Sequence, residues 1–185
     1  MKTEKDKMLA GEPYKAWETE LTADRINCRK TLHKLNNSIP NTPEWREAID
    51  TLLSRTSTGA YLEPPFHCDY GYNIKVGKNF YANFNCTILD CNLVTIGDNV
   101  KFGPSVHLYT AGHPLDATLR VVEGIEFAHP ITIGDNVWVG GGAIVLPNVT
   151  IGANSVIGAG SVVTKSIPPN VVAAGNPCRV IRSLE

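Results

Sequence analysis

The sequence predicts a mainly β protein built as a parallel β-helix, with a short helical segment before it and a long loop within it. The first observation is an aliphatic residue that recurs every six positions from Ile133 to Val163, with a small or β-branched residue four places after each. The second is the same spacing in earlier segments that begin at Val76, Ile96 and Phe102. Helices need apolar residues three or four positions apart and ordinary strands need alternation, so this period favours short stacked strands.

A single six-residue repeat cannot fold alone. Fixing its backbone costs about 1–2 kcal/mol per residue, whereas burying two aliphatic side chains returns about 1.5–3 kcal/mol each. Stacking on neighbouring repeats must supply the difference. We expect the aliphatic residue and the one four places on to point inward, with a corner between them. Glycines suit such corners because they tolerate backbone angles that side chains disfavour, and we assign this role to Gly97, Gly134, Gly152 and Gly158.

The N-terminal segment follows a different pattern, and we place the domain boundary at residue 60. Residues 1–60 form the helical segment, and residues 61–185 form the β-helix with a loop at about 109–130 and a C-terminal tail. Thr3 and Asp6 match a capping box for a first helix, which Gly11 should end.

Two further helices are expected before the β-helix. One should begin after Thr22, with Leu21 and Ile26 placed for a hydrophobic staple, and end near Asn36. The other should start at the Thr42 cap with proline at its first position and bury an apolar stripe that contains Trp45, Ile49, Leu52 and Leu53.

Two interruptions break the six-residue period. The step from Ile88 to Ile96 is eight residues, so two extra residues should bulge out near Asp90, Cys91 and Asn92. A longer excursion runs from about His113 to His129, and long excursions from a compact scaffold are usually functional or disordered. This one carries groups suited to acid–base chemistry, namely His113, Asp116, Arg120, Glu123, Glu126 and His129.

The composition is that of a soluble domain, since 43% of the 185 residues are hydrophobic and 19% are charged. The formal net charge of −1 and the absence of a basic block argue against general attraction to nucleic acid or anionic membranes. The charged start of the chain lacks the apolar run of a secretory signal. Five cysteines without CxxC pairing suggest reduced thiols. We therefore expect a cytoplasmic protein without membrane spans.

Four segments carry further information: FHCDYGYNIKVGKNFYANFN at 66–85, TAGHPLD at 110–116, ITIGDNVWVGGGAIVLPNVTIG at 131–152 and VVAAGNPCRVIR at 171–182. Together they resemble the maltose and galactoside O-acetyltransferases of the hexapeptide-repeat superfamily. The resemblance covers nearly the whole chain and is closest to the maltose type. It implies a left-handed parallel β-helix, a homotrimer with active sites between subunits, and transfer of an acetyl group from acetyl-CoA to a sugar hydroxyl without a metal.

His113, in the TAGHPLD segment, matches the catalytic base of the family. A sugar hydroxyl is a poor nucleophile at neutral pH, and histidine, with an ordinary pKa near 6.5, suits removal of its proton. The oxygen of the tetrahedral intermediate needs a hydrogen-bond donor, and the resemblance assigns the backbone N–H of Gly141, a position often occupied by serine in relatives. Asn83 matches a residue that lies near both cosubstrate and acceptor.

The resemblance also implies a coenzyme A site along the edge of the coil. The phosphates call for cations, and Lys165, Arg179 and Arg182 are suited to that role. The full set of matching contact positions is Asn83, Trp138, Gly141, Ala159, Thr164, Lys165, Arg179 and Arg182.

For the acceptor, relatives contact the sugar at positions that match Asp69, Tyr81, Asn83 and Cys91, and Glu126 is a candidate to orient His113 or to bind a hydroxyl. Galactoside-type relatives have an acidic residue at the position of Cys91 and another near Ala16, and this chain has neither. This departure favours a maltose- or glucose-like acceptor.

The same scaffold supports other functions. A zinc hydratase on the same scaffold needs three converging histidines, and His67, His107, His113 and His129 lack the spacing of that family. A non-catalytic β-helix would not need the loop histidine or the cations. An acetyltransferase for a galactoside, an amine or an antibiotic would share both features and is the alternative. Cys91 could suggest an acyl-enzyme, but no base is assigned to activate it, so we expect direct transfer.

Overall fold

The computed structural model describes residues 2–54 and 59–184. Three helices open the chain, over Glu4–Ala10 (α1), Thr19–Asn36 (α2) and Pro43–Leu52 (α3). The capping box predicted for α1 is present, and Gly11 ends this helix in a left-handed conformation. The boundary predicted at residue 60 adjoins residues 55–58, which lie outside the described residues, and it stays a prediction.

The predicted start of α2 was wrong. The helix begins at Thr19 rather than after Thr22, because the side chain of Glu18 accepts a hydrogen bond from a backbone N–H of the first turn (2.8 Å). Leu21 is therefore buried within the helix, and Ile26 is 48% exposed. The two residues do not form the predicted hydrophobic staple.

The third helix covers the first coil of the β-helix. It starts at the Thr42 cap, as predicted, and buries Trp45 against the coil. The indole Nε1–H of Trp45 donates to the backbone oxygen of Leu62 (3.2 Å), and the guanidinium of Arg46 donates to that of Ala60 (2.9 Å). Carbonyl groups at the end of the coil thus find donors on the helix.

Short parallel strands stack into three sheets, which form the sides of a β-helix. One side holds four strands, at Ile74–Val76 (β4), Val94–Ile96 (β7), Ile131–Ile133 (β12) and Thr150–Ile151 (β15). The second holds seven, at Tyr61–Leu62 (β2), Tyr81–Ala82 (β5), Lys101–Phe102 (β8), Trp138–Val139 (β13), Val156–Ile157 (β16), Val171–Ala174 (β18) and, antiparallel to β18, Arg179–Ser183 (β19). The third holds five, at His67–Cys68 (β3), Thr87–Leu89 (β6), His107–Tyr109 (β9), Ile144–Val145 (β14) and Val162–Val163 (β17).

The core of the β-helix is built from the two inward positions that the period predicts. Every aliphatic residue of the repeat from Ile133 to Val163 is buried, and so is each residue four places after it. Two of these inward residues are serines, whose hydroxyls donate to backbone oxygens, Ser155 to Pro168 (2.9 Å) and Ser161 to Gly158 (2.6 Å). The core therefore accepts polar side chains where a carbonyl can accept their protons.

The corner glycines were predicted for their tolerance of unusual backbone angles, and this reason was wrong. Asparagine, not glycine, takes the left-handed conformation at many of the corners, as at Asn136 with φ 58° and Asn154 with φ 60°. Their amides form a ladder in which Nδ2 of Asn136 donates to Oδ1 of Asn154 (2.9 Å). The glycines are needed for close stacking instead, because a Cβ on Gly134 would lie 2.6 Å from the backbone nitrogen of Ala153 in the next coil.

The bulge predicted near Asp90 does not project into solvent. Asp90, Cys91 and Asn92 are all buried, because α1 and the long loop pack over them. The amide of Asn92 donates to the backbone oxygens of Met8 (3.0 Å) and Ala128 (2.9 Å). The extra residues thus join the helical segment to the coil.

The long loop leaves the coil after β9 and returns at β12, as predicted. It contains Ala111–Gly112 (β10), a π-helical turn at Thr118–Val122 and Ile125–Ala128 (β11). β11 pairs antiparallel with β10 and with Tyr14–Lys15 (β1) from the helical segment. The fold class is therefore confirmed as a mainly β parallel β-helix with a helical N-terminal segment and an extruded loop. Within the described residues, none of the helices has the length and apolar composition needed to cross a bilayer.

Candidate active site

A cavity of about 270 Å³ lies where the helical segment, the loop and the side of the coil meet. Four of the residues predicted for the site line it: His113, Glu126, Asp69 and Cys91. We call it the His113 cavity. A larger cavity of about 420 Å³ between α2 and α3 contains none of the predicted residues.

His113 directly follows β10 and is exposed at the cavity. Its ring makes no hydrogen bond to any residue that the structure describes. Both ring nitrogens are therefore accessible, and one can accept a proton from a hydroxyl group bound in the cavity.

Glu126 is held by a tyrosine that the sequence did not reveal. The hydroxyl of Tyr14 donates to Oε2 of Glu126 (3.0 Å), and the two residues are directly opposite in the pairing of β1 with β11. Burial raises the pKa of Tyr14 far above its usual range, so its hydroxyl stays protonated and keeps donating. Glu126 makes no hydrogen bond to His113 in the described chain, and its carboxylate faces the cavity as a hydroxyl acceptor.

Asp69 and Cys91 meet on the wall of the cavity. The thiol of Cys91 donates to Oδ2 of Asp69 at 3.5 Å. Burial raises the pKa of the Asp69 carboxyl, while this hydrogen bond and the guanidinium groups of Arg25 and Arg29 act in the opposite direction. Burial, together with the charge of Asp69, raises the pKa of Cys91 well above its usual range. Cys91 is therefore a thiol rather than a thiolate, as expected for a residue without a nucleophilic role.

The buried side chain of Asp90 fixes the backbone of this wall. Its Oδ1 accepts hydrogen bonds from the backbone N–H groups of Asp69 and Tyr70 (both 2.9 Å). Its Oδ2 is buried and has no hydrogen-bond partner among the described residues. Burial raises the pKa of Asp90 to about 6.

A second group of predicted residues lies on the seven-stranded side, outside the His113 cavity. Tyr81 and Trp138 project from one ladder, in register on either side of Lys101. Trp138 is 56% exposed, and the hydroxyl of Tyr81 donates to Glu63 (3.5 Å). Asn83 follows β5, and its Oδ1 accepts the backbone N–H of the next residue (2.8 Å).

Gly141 and Ala159 continue this group along the following corner. The backbone oxygen of Gly141 accepts a hydrogen bond from Gly160 (2.9 Å). The N–H groups of Gly141 and Ala159, however, have no partner in the described chain. A Cβ at Gly141 would lie 3.0 Å from the backbone oxygen of Pro104, so glycine relieves a tight contact there. Two free amides on one corner are available to a ligand.

The remaining predicted residues lie on the last coils. Thr164 and Lys165 directly follow β17, and Arg179 and Arg182 lie on β19. All four are exposed. Neither Lys165 nor either arginine forms a salt bridge within the described residues, so three cations without an acidic partner lie at this end of the β-helix.

One chain therefore presents the predicted residues as two groups. The His113 cavity holds His113 with Asp69, Cys91 and Glu126, and the residues on the seven-stranded side and the last coils do not line it. Within the part of the chain that the structure describes, no three His, Cys, Asp or Glu side chains are arranged to hold a metal ion.

Comparisons with known proteins identify the family of this chain. Residues 7–53 match the maltose acetyltransferase hexapeptide capping motif, and residues 130–165 match the bacterial transferase hexapeptide model of six repeats. The galactoside O-acetyltransferase of Escherichia coli strain K12 is 48% identical over 180 residues, which cover 97% of this chain and 88% of that protein. The chain belongs to the maltose and galactoside O-acetyltransferase family. It is thus an acyltransferase, as predicted.

Two solved structures of this family are also similar. A maltose O-acetyltransferase from Clostridium difficile 630 has a TM-score of 0.96 at 50% identity, with 100% of this chain and 98% of that chain covered. A galactoside acetyltransferase in complex with coenzyme A has a TM-score of 0.92 at 44% identity, with 100% and 92% covered. The recognition of the family from the four sequence segments is confirmed.

Proposed function

We propose that this protein transfers an acetyl group from acetyl-CoA to a hydroxyl group of a maltose- or glucose-like sugar, with His113 as general base. The observation that carries the proposal is the His113 cavity. There an imidazole without an internal partner lies beside two carboxylate side chains, Asp69 and Glu126, that can accept hydrogen bonds from sugar hydroxyls.

The reaction is a direct transfer. His113 takes the proton of the sugar hydroxyl as its oxygen attacks the carbonyl carbon of the thioester. The resulting oxyanion accepts a hydrogen bond from the free N–H of Gly141. The carbon–sulfur bond then breaks, and the proton passes from the imidazolium to the sulfur of coenzyme A. The products are an O-acetyl sugar and free coenzyme A, and no step needs the protonated thiol of Cys91.

Coenzyme A is assigned to the edge formed by the second group of residues. The galactoside acetyltransferase structure was obtained with coenzyme A, and it covers the whole of this chain. The three unpaired cations Lys165, Arg179 and Arg182 suit the phosphates. Trp138, Ala159 and Thr164 offer apolar surface and polar backbone groups for the pantetheine arm.

The two groups of residues meet when chains associate. We propose a homotrimer in the cytoplasm, in which Tyr81 and Asn83 of one chain complete the His113 cavity of its neighbour. This arrangement accounts for their position on the seven-stranded side of a single chain, where both are half-buried and lie outside the cavity.

The acidic residues that the cavity lacks indicate the acceptor. Ala16 and Cys91 line it at the positions where galactoside-type relatives carry acidic residues. Asp69 and Glu126 are the carboxylates that line the cavity, so it offers fewer acidic hydroxyl acceptors than the galactoside-type site. A maltose- or glucose-like sugar is therefore the proposed acceptor.

The test is an acceptor screen with acetyl-CoA, in which release of the free thiol is followed for glucose, maltose, galactosides, serine and amine antibiotics. Changing His113 to alanine should lower kcat about 10²- to 10⁴-fold. His33→Ala, an exposed histidine on α2, is the matched control and should keep normal turnover. Normal turnover by a folded His113→Ala protein would refute the base, and acetylation of amines but not sugars would refute the acceptor.

A further inference from the structure

A second cavity of about 450 Å³ lies next to the His113 cavity. Its lining includes Lys15, Glu18 and Glu123, and Trp17 lines both cavities. Tyr14 and Glu126 face the His113 cavity, whereas Lys15, the next residue of β1, lines the second one. Trp17 follows β1 and lines both cavities.

Trp17 is exposed in a way that packing does not explain. The residue is 80% exposed, although an indole ring gains much from burial. The guanidinium of Arg25 lies over the ring, 5.3 Å from its centroid. Arg25 is itself fixed, because it donates to the hydroxyl of Tyr70 (2.8 Å) and to the backbone oxygen of Ala16 (2.7 Å). The ring is thus supported from the protein side and open to a ligand.

The cavity volumes leave room for a ligand longer than one sugar ring. The His113 cavity, at about 270 Å³, is below the roughly 300–1,000 Å³ typical of small-molecule sites. Together with the second cavity it falls within that range. Because Trp17 lines both cavities, a ligand that extends beyond the His113 cavity can contact its ring.

The charges of the second cavity disfavour an anionic ligand. Three carboxylates, from Glu4, Glu18 and Glu123, line it with a single cation, Lys15. The side chain of Glu123 is exposed and has no partner within the described residues. Such groups accept hydrogen bonds from hydroxyls and repel anions. An aromatic face next to hydroxyl acceptors matches a pyranose, which has an apolar C–H face and a hydroxyl edge.

We propose that Trp17 is the stacking platform of a second sugar subsite, so that the preferred acceptor is a neutral oligosaccharide of at least two rings. The acetylated ring lies in the His113 cavity and the next ring lies on Trp17. This inference rests on the proposed sugar O-acetyltransferase function.

The experiment compares kcat/KM for glucose, maltose and maltotriose, at saturating acetyl-CoA, in the full-length protein and in Trp17→Ala and Trp17→Phe. Wild type should prefer maltose to glucose. Trp17→Ala should lower kcat/KM for maltose about three- to tenfold and leave that for glucose unchanged, and Trp17→Phe should restore most of the loss. Ile39→Ala removes another exposed hydrophobic residue, 74% exposed between α2 and α3 and outside both cavities, and should change neither value.

The two hypotheses fail in different ways. Equal losses for glucose and maltose in Trp17→Ala, or a wild type that gains nothing from the second ring, would overturn the subsite while sugar acetylation stands. A wild type that acetylates no sugar would overturn the proposed function and the subsite together.

Discussion

The buried carboxyl of Asp90 makes the stability of this protein depend on pH in a calculable way. Its pKa of about 6 lies above the ordinary value of 3.8, because burial outweighs the two backbone hydrogen bonds that Oδ1 accepts. A difference of this size corresponds to about 3 kcal/mol. The folded protein binds this proton more tightly than the unfolded chain does. The stabilisation is therefore complete below pH 3.8 and is lost as the pH rises through 6.

Asp90→Asn removes this titration while its side-chain oxygen can still accept from Asp69 and Tyr70. Between pH 5 and pH 8, the free energy of unfolding of the wild type should fall relative to that of the variant by about 1.4 kcal/mol. The measurement is urea unfolding at a fixed protein concentration, followed by the fluorescence of the buried Trp45. Taking the difference between the two proteins cancels groups that titrate alike in both.

Glu47→Gln, at an exposed carboxylate on α3, is the control and should differ from wild type by the same amount at every pH. A constant difference between wild type and Asp90→Asn from pH 5 to pH 8 would refute the reasoning. So would a wild type that gains stability relative to the variant as the pH rises.

Two further predictions concern the corners and the coenzyme A edge. Asn136→Ala should lower the free energy of unfolding by about 1–2 kcal/mol for the left-handed backbone, in addition to the loss of its ladder hydrogen bonds. Asn136→Gly should lose only the contribution of the hydrogen bonds. Equal losses for the two variants in urea unfolding would contradict this role. Replacing Arg179 and Arg182 by alanine should raise the KM for acetyl-CoA far more than that for the sugar. A Lys30→Ala/Lys34→Ala protein loses the same charge from α2 and should change neither constant, and equal effects of the arginine pair on both KM values would argue against phosphate binding.

The sequence predicted the β-helix because each inward position is set by local spacing. It did not reveal which corner residue takes the left-handed conformation. Glycine and asparagine both tolerate that conformation, and the deciding factor is contact with the next coil. Gly97 shows this, since a Cβ there would lie 2.7 Å from the backbone nitrogen of Asp135, far along the chain.

Only part of the candidate site could be predicted, because local motifs reveal some of its residues, whereas others depend on contacts between distant parts of the chain. His113 and Asp69 lie in segments with recognisable motifs, and the structure brings both to one cavity. Tyr14 carries no local signal, because its partner Glu126 is 112 residues away. Asp90 lies in the predicted bulge, but its burial could not be predicted, because the packing of α1 over the bulge depends on contacts that no local pattern encodes.

The cover that α3 provides for the first coil has a consequence for assembly. An uncovered terminal strand offers unpaired backbone groups onto which another molecule can add its own strand. Here Trp45 and Arg46 occupy carbonyls at one terminus, and β19 turns back on β18 at the other. Both features disfavour the addition of another molecule's strand at the ends of the seven-stranded side.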